Sequence, residues 1–178
     1  MKILKNKLNN ELNIRTEKDF PVKGIEFIDI NPLILQKETL KEIIDLFYKE
    51  LKDKNIDYIV GPEARGFLIG SMIAYKLNAG FVPVRKQGKL PPTTVEKSFG
   101  YEKEYGKDML ELPKLVNEEY NGKKFYIIDD IYATGNTIKS IKNTITQLGG
   151  KVLGAGVIMN IVELNNDEVF SLIDVNEE

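Results

Sequence analysis

The stretch YIIDDIYATGNTI, residues 126–138, decides the fold. An apolar run that reads as a buried strand ends in two adjacent carboxylates, Asp129 and Asp130, and gives way at once to small and hydroxyl-bearing residues leading into a helix. In an open parallel sheet, ligands bind beyond the carboxyl ends of the strands, and an expected strand from Phe125 to Ile128 puts both aspartates at such an end. The loop Ala133-Thr134-Gly135-Asn136-Thr137 has side chains small enough for its amides to converge. With hydroxyls at Thr134 and Thr137 and a helix N-terminus behind it, the loop suits a monophosphate. The two carboxylates would repel that phosphate. They suit neighbouring sugar hydroxyls, held directly or through a Mg²⁺ ion. A diol beside a phosphate describes a phosphorylated ribose; the bland alternative is a solvated Asp pair at a strand end and a Thr capping a helix.

Working outward, a helix from Thr137 to Leu148 carries Ile138, Ile141, Ile145 and Leu148 on one face, and a strand from Lys151 to Met159 follows it. Upstream, Leu40, Ile43, Ile44, Phe47, Tyr48 and Leu51 recur at helical steps between Thr39 and Lys52. Tyr58-Ile59-Val60 reads as a strand that stops at Gly61-Pro62, Phe67 to Leu77 as a helix, and Gly80 to Val84 as a strand. Strands and helices in alternation predict an α/β fold, a mainly parallel sheet flanked by helices, in a single domain over 1–178. The segment Lys86 to Glu111 has no sustained period and is long for a connection, so a mobile functional loop is expected there. Asp174 to Glu178 reads as a solvated tail.

Composition narrows the chemistry. The 178 residues contain neither Cys nor His, which removes thiolate nucleophiles, disulfides and the commonest general base. Catalysis must run on carboxylates, Lys, Arg, hydroxyls, backbone amides or a hard cation. A formal net charge of −2 without a basic run argues against nucleic acid or an anionic membrane as partner. MKILKNKLNNEL is interrupted by Lys and Asn before a signal-peptide core can form, and no apolar run approaches the ~20 residues of a membrane span, so the chain reads as cytoplasmic.

Two further stations lie at expected strand ends. GPEARGFLIG, residues 61–70, has glycines at Walker spacing, but Phe67 stands where that motif needs Lys. What remains is a Gly-bounded turn that either presents Arg65 and backbone amides to an anion or pairs Arg65 with Glu63. VPVRKQGKLP, residues 82–91, brings out Arg85, Lys86 and Lys89 around one Gly, either as an exposed basic turn or, with Arg65, as the counter-charge to a pyrophosphate. An apolar run ending in DD also opens the receiver domains of two-component signalling. Only about fifty residues follow the pair here, too few for the βα units such a domain still needs.

DDIYATGNT, GPEARGFLIG and FVPVRKQGKLP, with EYGK at 104–107 and FPVKGIEFIDI at 20–30, together resemble the adenine phosphoribosyltransferases, of the type I phosphoribosyltransferase superfamily. The likeness runs from Phe20 to Leu164. It implies an N-terminal hood over residues 20–35 and a flexible catalytic loop over 86–111. The activity it implies, in purine salvage, is Mg²⁺-dependent conversion of adenine and phosphoribosyl pyrophosphate (PRPP) to AMP and pyrophosphate, by a homodimer. It assigns the PRPP ribose to Asp129 and Asp130, and the 5-phosphate to Ala133, Thr134, Gly135, Asn136 and Thr137. Pyrophosphate falls to Glu63, Ala64, Arg65, Arg85, Lys86, Lys89 and Tyr105, with a non-proline cis peptide at Glu63-Ala64. Adenine falls to Ile25, Glu26, Phe27 and Ile28, by backbone groups and a stack on Phe27. Arg65, Lys86 and Glu104 are the implied catalytic residues, and Mg²⁺ is held mainly by PRPP and water, with Asp129 and Asp130 as its protein ligands.

The chain departs from the family pattern at Ile28, where a basic residue is usual, at Lys23 for Pro, at Ile131-Tyr132 for Leu-Leu, and at Asn136 for Gly. Asn tolerates left-handed backbone better than most residues, so the cradle can persist. A ligand sensor built on the same fold is the alternative outside catalysis. It would need an output domain, and the segment before Phe20 is too short for a DNA-binding fold.

Overall fold

In the computed structural model, which describes residues 14–20, 23–24, 26–103, 106–165 and 167–175, the motif strand is β7, Lys124–Tyr132. It pairs in parallel with β3, Tyr58–Pro62, on one side and with β8, Lys151–Ile161, on the other. β4, Gly80–Lys86, lies parallel outside β3, and β9, Phe170–Val175, parallel outside β8. An antiparallel hairpin of β5, Val95–Lys103, and β6, Gly106–Pro113, joins through β6 to β4. The order of the 7-stranded sheet is β5-β6-β4-β3-β7-β8-β9. Two short strands, β1 at Arg15–Lys18 and β2 at Glu26–Asp29, form a separate antiparallel ribbon.

Strand alternation sorts the core onto both faces. Ile59, Tyr126, Ile128 and Ile158 point into one cluster with Ile43, Phe47 and Leu51 of α2, Lys37–Leu51, and Ile69 and Ile73 of α3, Arg65–Leu77. Short helix α1, Asn31–Leu35, adds Leu33. Val60, Phe125, Ile127 and Val157 point the other way, against Ile138, Ile141 and Ile145 of α4, Asn136–Gln147, and Leu110 and Leu112 of β6. Each fully buried aliphatic or aromatic side chain contributes on the order of 1.5–3 kcal/mol. Among the described residues, no helix is long and apolar enough to cross a membrane.

Three expectations are corrected. The segment Lys86 to Glu111 is mostly β structure: Tyr101, Leu110 and Leu112 are buried, and β5 pairs with β6 from Val95 and Pro113 to Lys103 and Gly106. Buried Glu111 between the two leucines, and a bulge between Val95 and Lys97, hide the alternation. β7 does not end at Ile128: its pairing with β3 stops at Val60 and Ile127, but its pairing with β8 runs on to Tyr132 and Asn160. The supposed tail begins inside β9, whose Asp174 and Val175 pair with Asn160 and Ile161. The ribbon that corresponds to the hood starts at Arg15, before Phe20.

Candidate active site

The strand order dictates where a site can form. From β3 the chain crosses to β4 on one side and returns to β7 on the other, so the sheet's switch point lies between the carboxyl ends of β3 and β7. Both motifs meet there. Past Ile127, β7 has lost β3 as a neighbour, and Asp129 and Asp130 occupy the stretch thus opened.

β3 runs into a turn with a cis peptide between Glu63 and Ala64, and α3 starts at Arg65. Glycines make this return possible: a Cβ at Gly61 would lie 2.7 Å from the Gly66 carbonyl oxygen, and one at Gly66 would lie 2.6 Å from Pro62 Cδ and 3.2 Å from Asp129 Oδ1. The first turn of α3 therefore sits directly on the aspartates. Arg65 Nε donates to Asp130 Oδ2, and its guanidinium stands 5.5 Å from the centre of the Phe27 ring. Asp130 is 3% exposed and Arg65 about half open, so a buried carboxylate is paired with a cation that still reaches solvent. Asp129 Oδ1 accepts from the Asp130 amide at 2.9 Å. Burial, and then the charge of Asp130, push the Asp129 carboxyl well above the usual carboxylate range.

The basic turn is also neutralised from within. Glu63 Oε2 accepts from Arg85 Nε at 3.0 Å and from the Lys86 amide at 3.0 Å, and these two bonds hold its carboxyl below the usual range. Of the two readings of the GPEARG turn, the Arg65–Glu63 pair is absent: Glu63 takes Arg85, and Arg65 takes Asp130. Lys86 and Lys89 are exposed, with the Lys89 amide bonded to the Lys86 carbonyl at 3.1 Å. The Gly88 amide donates to Glu111 Oε2 at 3.2 Å, and the Arg85 guanidinium lies 5.7 Å from the Phe67 ring centre. Sequence reading missed Glu111 and Phe67 as supports of this turn. A lone carboxylate between two buried leucines was the available signal for the first.

The loop expected to hold the 5-phosphate follows β7. Gly135 has φ +74 and caps α4, and Asn136 and Thr137 form the first helical positions. Tyr132 is buried beneath the loop, where a Cβ on Gly135 would collide with its hydroxyl, so Tyr132 backs the cradle from the core side. At the hood, Phe27 packs edge-on against Phe20 at 5.2 Å, and half-buried Ile28 packs against the core. Arg65 thus joins Phe27 to Asp130, the expected base stack to the expected ribose carboxylate. Ile25, Glu104 and Tyr105 lie outside the described residues, and Glu26 is the first residue of β2.

For Mg²⁺ the carboxylate oxygens of Asp129 and Asp130 are suitable hard donors. No group of three or more His, Cys, Asp and Glu side chains able to hold a metal occurs among the described residues. An ion there would draw most of its ligands from substrate and water, which is how Mg²⁺ ordinarily sits among phosphates.

Comparison with known proteins gives the same picture. A family model described as a phosphoribosyl transferase domain matches residues 33–170. The adenine phosphoribosyltransferase of Clostridium tetani is 45% identical over 163 residues, covering 92% of each chain. Among solved structures, that of the adenine phosphoribosyltransferase of Thermoanaerobacter pseudethanolicus superimposes with a TM-score of 0.82 at 39% identity, over 91% of this chain and 95% of that one. The Saccharomyces cerevisiae enzyme, solved with adenine and an imino-altritol bisphosphate, gives 0.80 at 36% identity over 97% and 99%.

Proposed function

The chain belongs to the adenine phosphoribosyltransferase family, and from that premise we propose how its residues transfer the phosphoribosyl group of PRPP to adenine, giving AMP and pyrophosphate for purine salvage. The observation that carries the reading is the seating of Asp129 and Asp130 between the amide loop 133–137 and the Arg65 turn, at the switch point of the sheet.

The ribose hydroxyls are taken by the aspartates and the 5-phosphate by residues 133–137, which fixes the anomeric carbon between the two loops. Phe27 stacks the base, and backbone groups of residues 25–28 read its edge. As the bond from the anomeric carbon to the pyrophosphate oxygen lengthens, positive charge grows on the ribose and negative charge on the leaving group. Arg65, Lys86 and Lys89 face that leaving group. Arg65 and Arg85 are paired with Asp130 and Glu63, so the hydroxyls and phosphates of the substrate compete with these internal pairs. When bound, Mg²⁺ supplies charge neutralisation on the pyrophosphate, with Asp129 and Asp130 as its protein ligands. Adenine N9 forms the new bond, and its proton leaves through the purine imidazole to Glu104, in a chain with no His to take it. The β5–β6 hairpin, whose paired Lys103 and Gly106 flank residues 104–105, excludes water from the reacting centre.

A homodimer in the cytoplasm completes the proposal. Exposed Leu68 and Tyr75 on α3 are the apolar surface that a second copy would cover. The assignment is tested by Glu104→Gln. Turnover at saturating substrates should fall by roughly 10²-fold, the low end of a general acid–base contribution, while PRPP still binds. Full turnover would remove Glu104 from the mechanism.

A further inference from the structure

The segment that follows β8 grips the phosphate loop from behind, through residues to which no role has been assigned above. Asn165 Nδ2 donates to the Ala133 carbonyl at 2.9 Å, and also to Asn160 Oδ1 at 3.0 Å and the Ile161 carbonyl at 2.9 Å. Lys139 Nζ donates to the Thr134 carbonyl at 3.2 Å and pairs with Asp167 Oδ2 at 2.7 Å. The same Asp167 oxygen accepts from Tyr132 Oη at 3.0 Å, and the Asp167 amide donates to Asn165 Oδ1 at 3.2 Å. The Gly135 carbonyl is taken by the Lys139 amide at 2.9 Å. Four consecutive residues, 132 to 135, are therefore each tied on one side.

The consequence follows from peptide geometry. In a planar trans peptide the carbonyl and the next residue's N–H point in opposite directions. Holding the carbonyls of Ala133, Thr134 and Gly135 on one side aims the amides of Thr134, Gly135 and Asn136 to the other, away from the groups that hold the carbonyls. Among the described residues, none of these three amides donates to a protein acceptor. We propose that Asn165, Lys139, Asp167 and Tyr132 form a positioning clamp that presents the amides of residues 134–136 to the 5-phosphate. The inference rests on the phosphate assignment given above, and deepens it. Asn165 is central, since the two N–H groups of its amide nitrogen are shared among three acceptors and tie the loop to the end of β8. Tyr132, a departure from the family pattern, is the member that anchors Asp167 from the core.

The test is calorimetric titration of the full-length protein with ribose 5-phosphate and, separately, with inorganic pyrophosphate. Asn165→Leu and Lys139→Met should each weaken ribose 5-phosphate by about five- to tenfold, the factor carried by one net hydrogen bond, and leave pyrophosphate within about twofold. Lys139→Arg, which keeps a donor and a charge for Asp167, should restore most of the loss. Lys139 is about half exposed on α4, so its replacement tests the clamp even if Asn165→Leu does not fold. Equal weakening of both ligands, or of neither, would overturn the clamp. AMP formation by the unaltered protein, measured alongside, reports on the transferase reading separately. Its absence would remove that reading while the ribose 5-phosphate titration still decides the clamp.

Discussion

Replacing Gly135 by Ala separates two costs that the structure places on one residue. The backbone stands at φ +74, where an L side chain loses on the order of 1–2 kcal/mol. The new methyl would also collide with the hydroxyl and ring of buried Tyr132, an overpacking cost of about 1–3 kcal/mol. The loop can move outward more cheaply than the core can yield, so little of the ~2–5 kcal/mol sum should appear in global stability. Most of it should appear as lost phosphate affinity, a rise of about 30-fold or more in the PRPP KM. Tyr132→Leu removes the obstructing ring but not the backbone constraint. The double variant should therefore recover the overpacking share, and the cycle should show a coupling of about 1–3 kcal/mol. The assay is PRPP KM for wild type, both single variants and the double variant, with urea unfolding of each. A Gly135→Ala protein within twofold of wild type, or strictly additive effects, would refute the argument that Tyr132 sets the loop's position.

Two carboxylates in the site should give opposite pH slopes. Asp129 is raised in the folded state, so the native protein binds more protons than the unfolded chain above the ordinary Asp range. Stability through Asp129 then falls as pH rises through its folded value. Asp129→Asn should raise the urea midpoint at neutral pH while impairing PRPP use. Glu63 is lowered, so its contribution is present above the ordinary Glu range and is lost as pH falls through its folded value; Glu63→Gln should flatten that acid-side loss. Unfolding midpoints across pH check both signs. Arg65→Met leaves the 3%-exposed Asp130 without its cation and should cost about 1–3 kcal/mol, near the low end because Arg65 is half open. Adding Asp130→Asn should return much of that stability but not activity, and a double variant no more stable than Arg65→Met would contradict the pairing.

What the sequence made legible was local. Alternating apolar periods located β3, α3, β7 and α4, because each buries one contiguous stretch against the sheet. Motif chemistry picked out loop 133–137 and the acidic pair, which the structure seats at the switch point of the sheet. The β5–β6 hairpin was opaque, since buried Glu111 between two leucines and the bulge between Val95 and Lys97 mask the period of two. Pairings between distant residues were opaque as well. That Arg65 takes Asp130 while Glu63 takes Arg85 depends on how the β3 and β4 ends are juxtaposed, and the sequence left a pair of Arg65 with Glu63 open as one of two readings. Asn165 and Asp167 looked like ordinary polar residues after a strand. Their contact with Tyr132 and Ala133 exists only because β8 lies beside β7.

The most direct test of the central claim is nucleotide formation from PRPP and Mg²⁺ with adenine, hypoxanthine, guanine and xanthine offered separately, the product being resolved by chromatography. AMP from adenine, with little or no nucleotide from the 6-oxopurines, is the predicted result. Folded protein that binds PRPP yet forms no nucleotide from any base would contradict the assignment and leave a binding site without transfer.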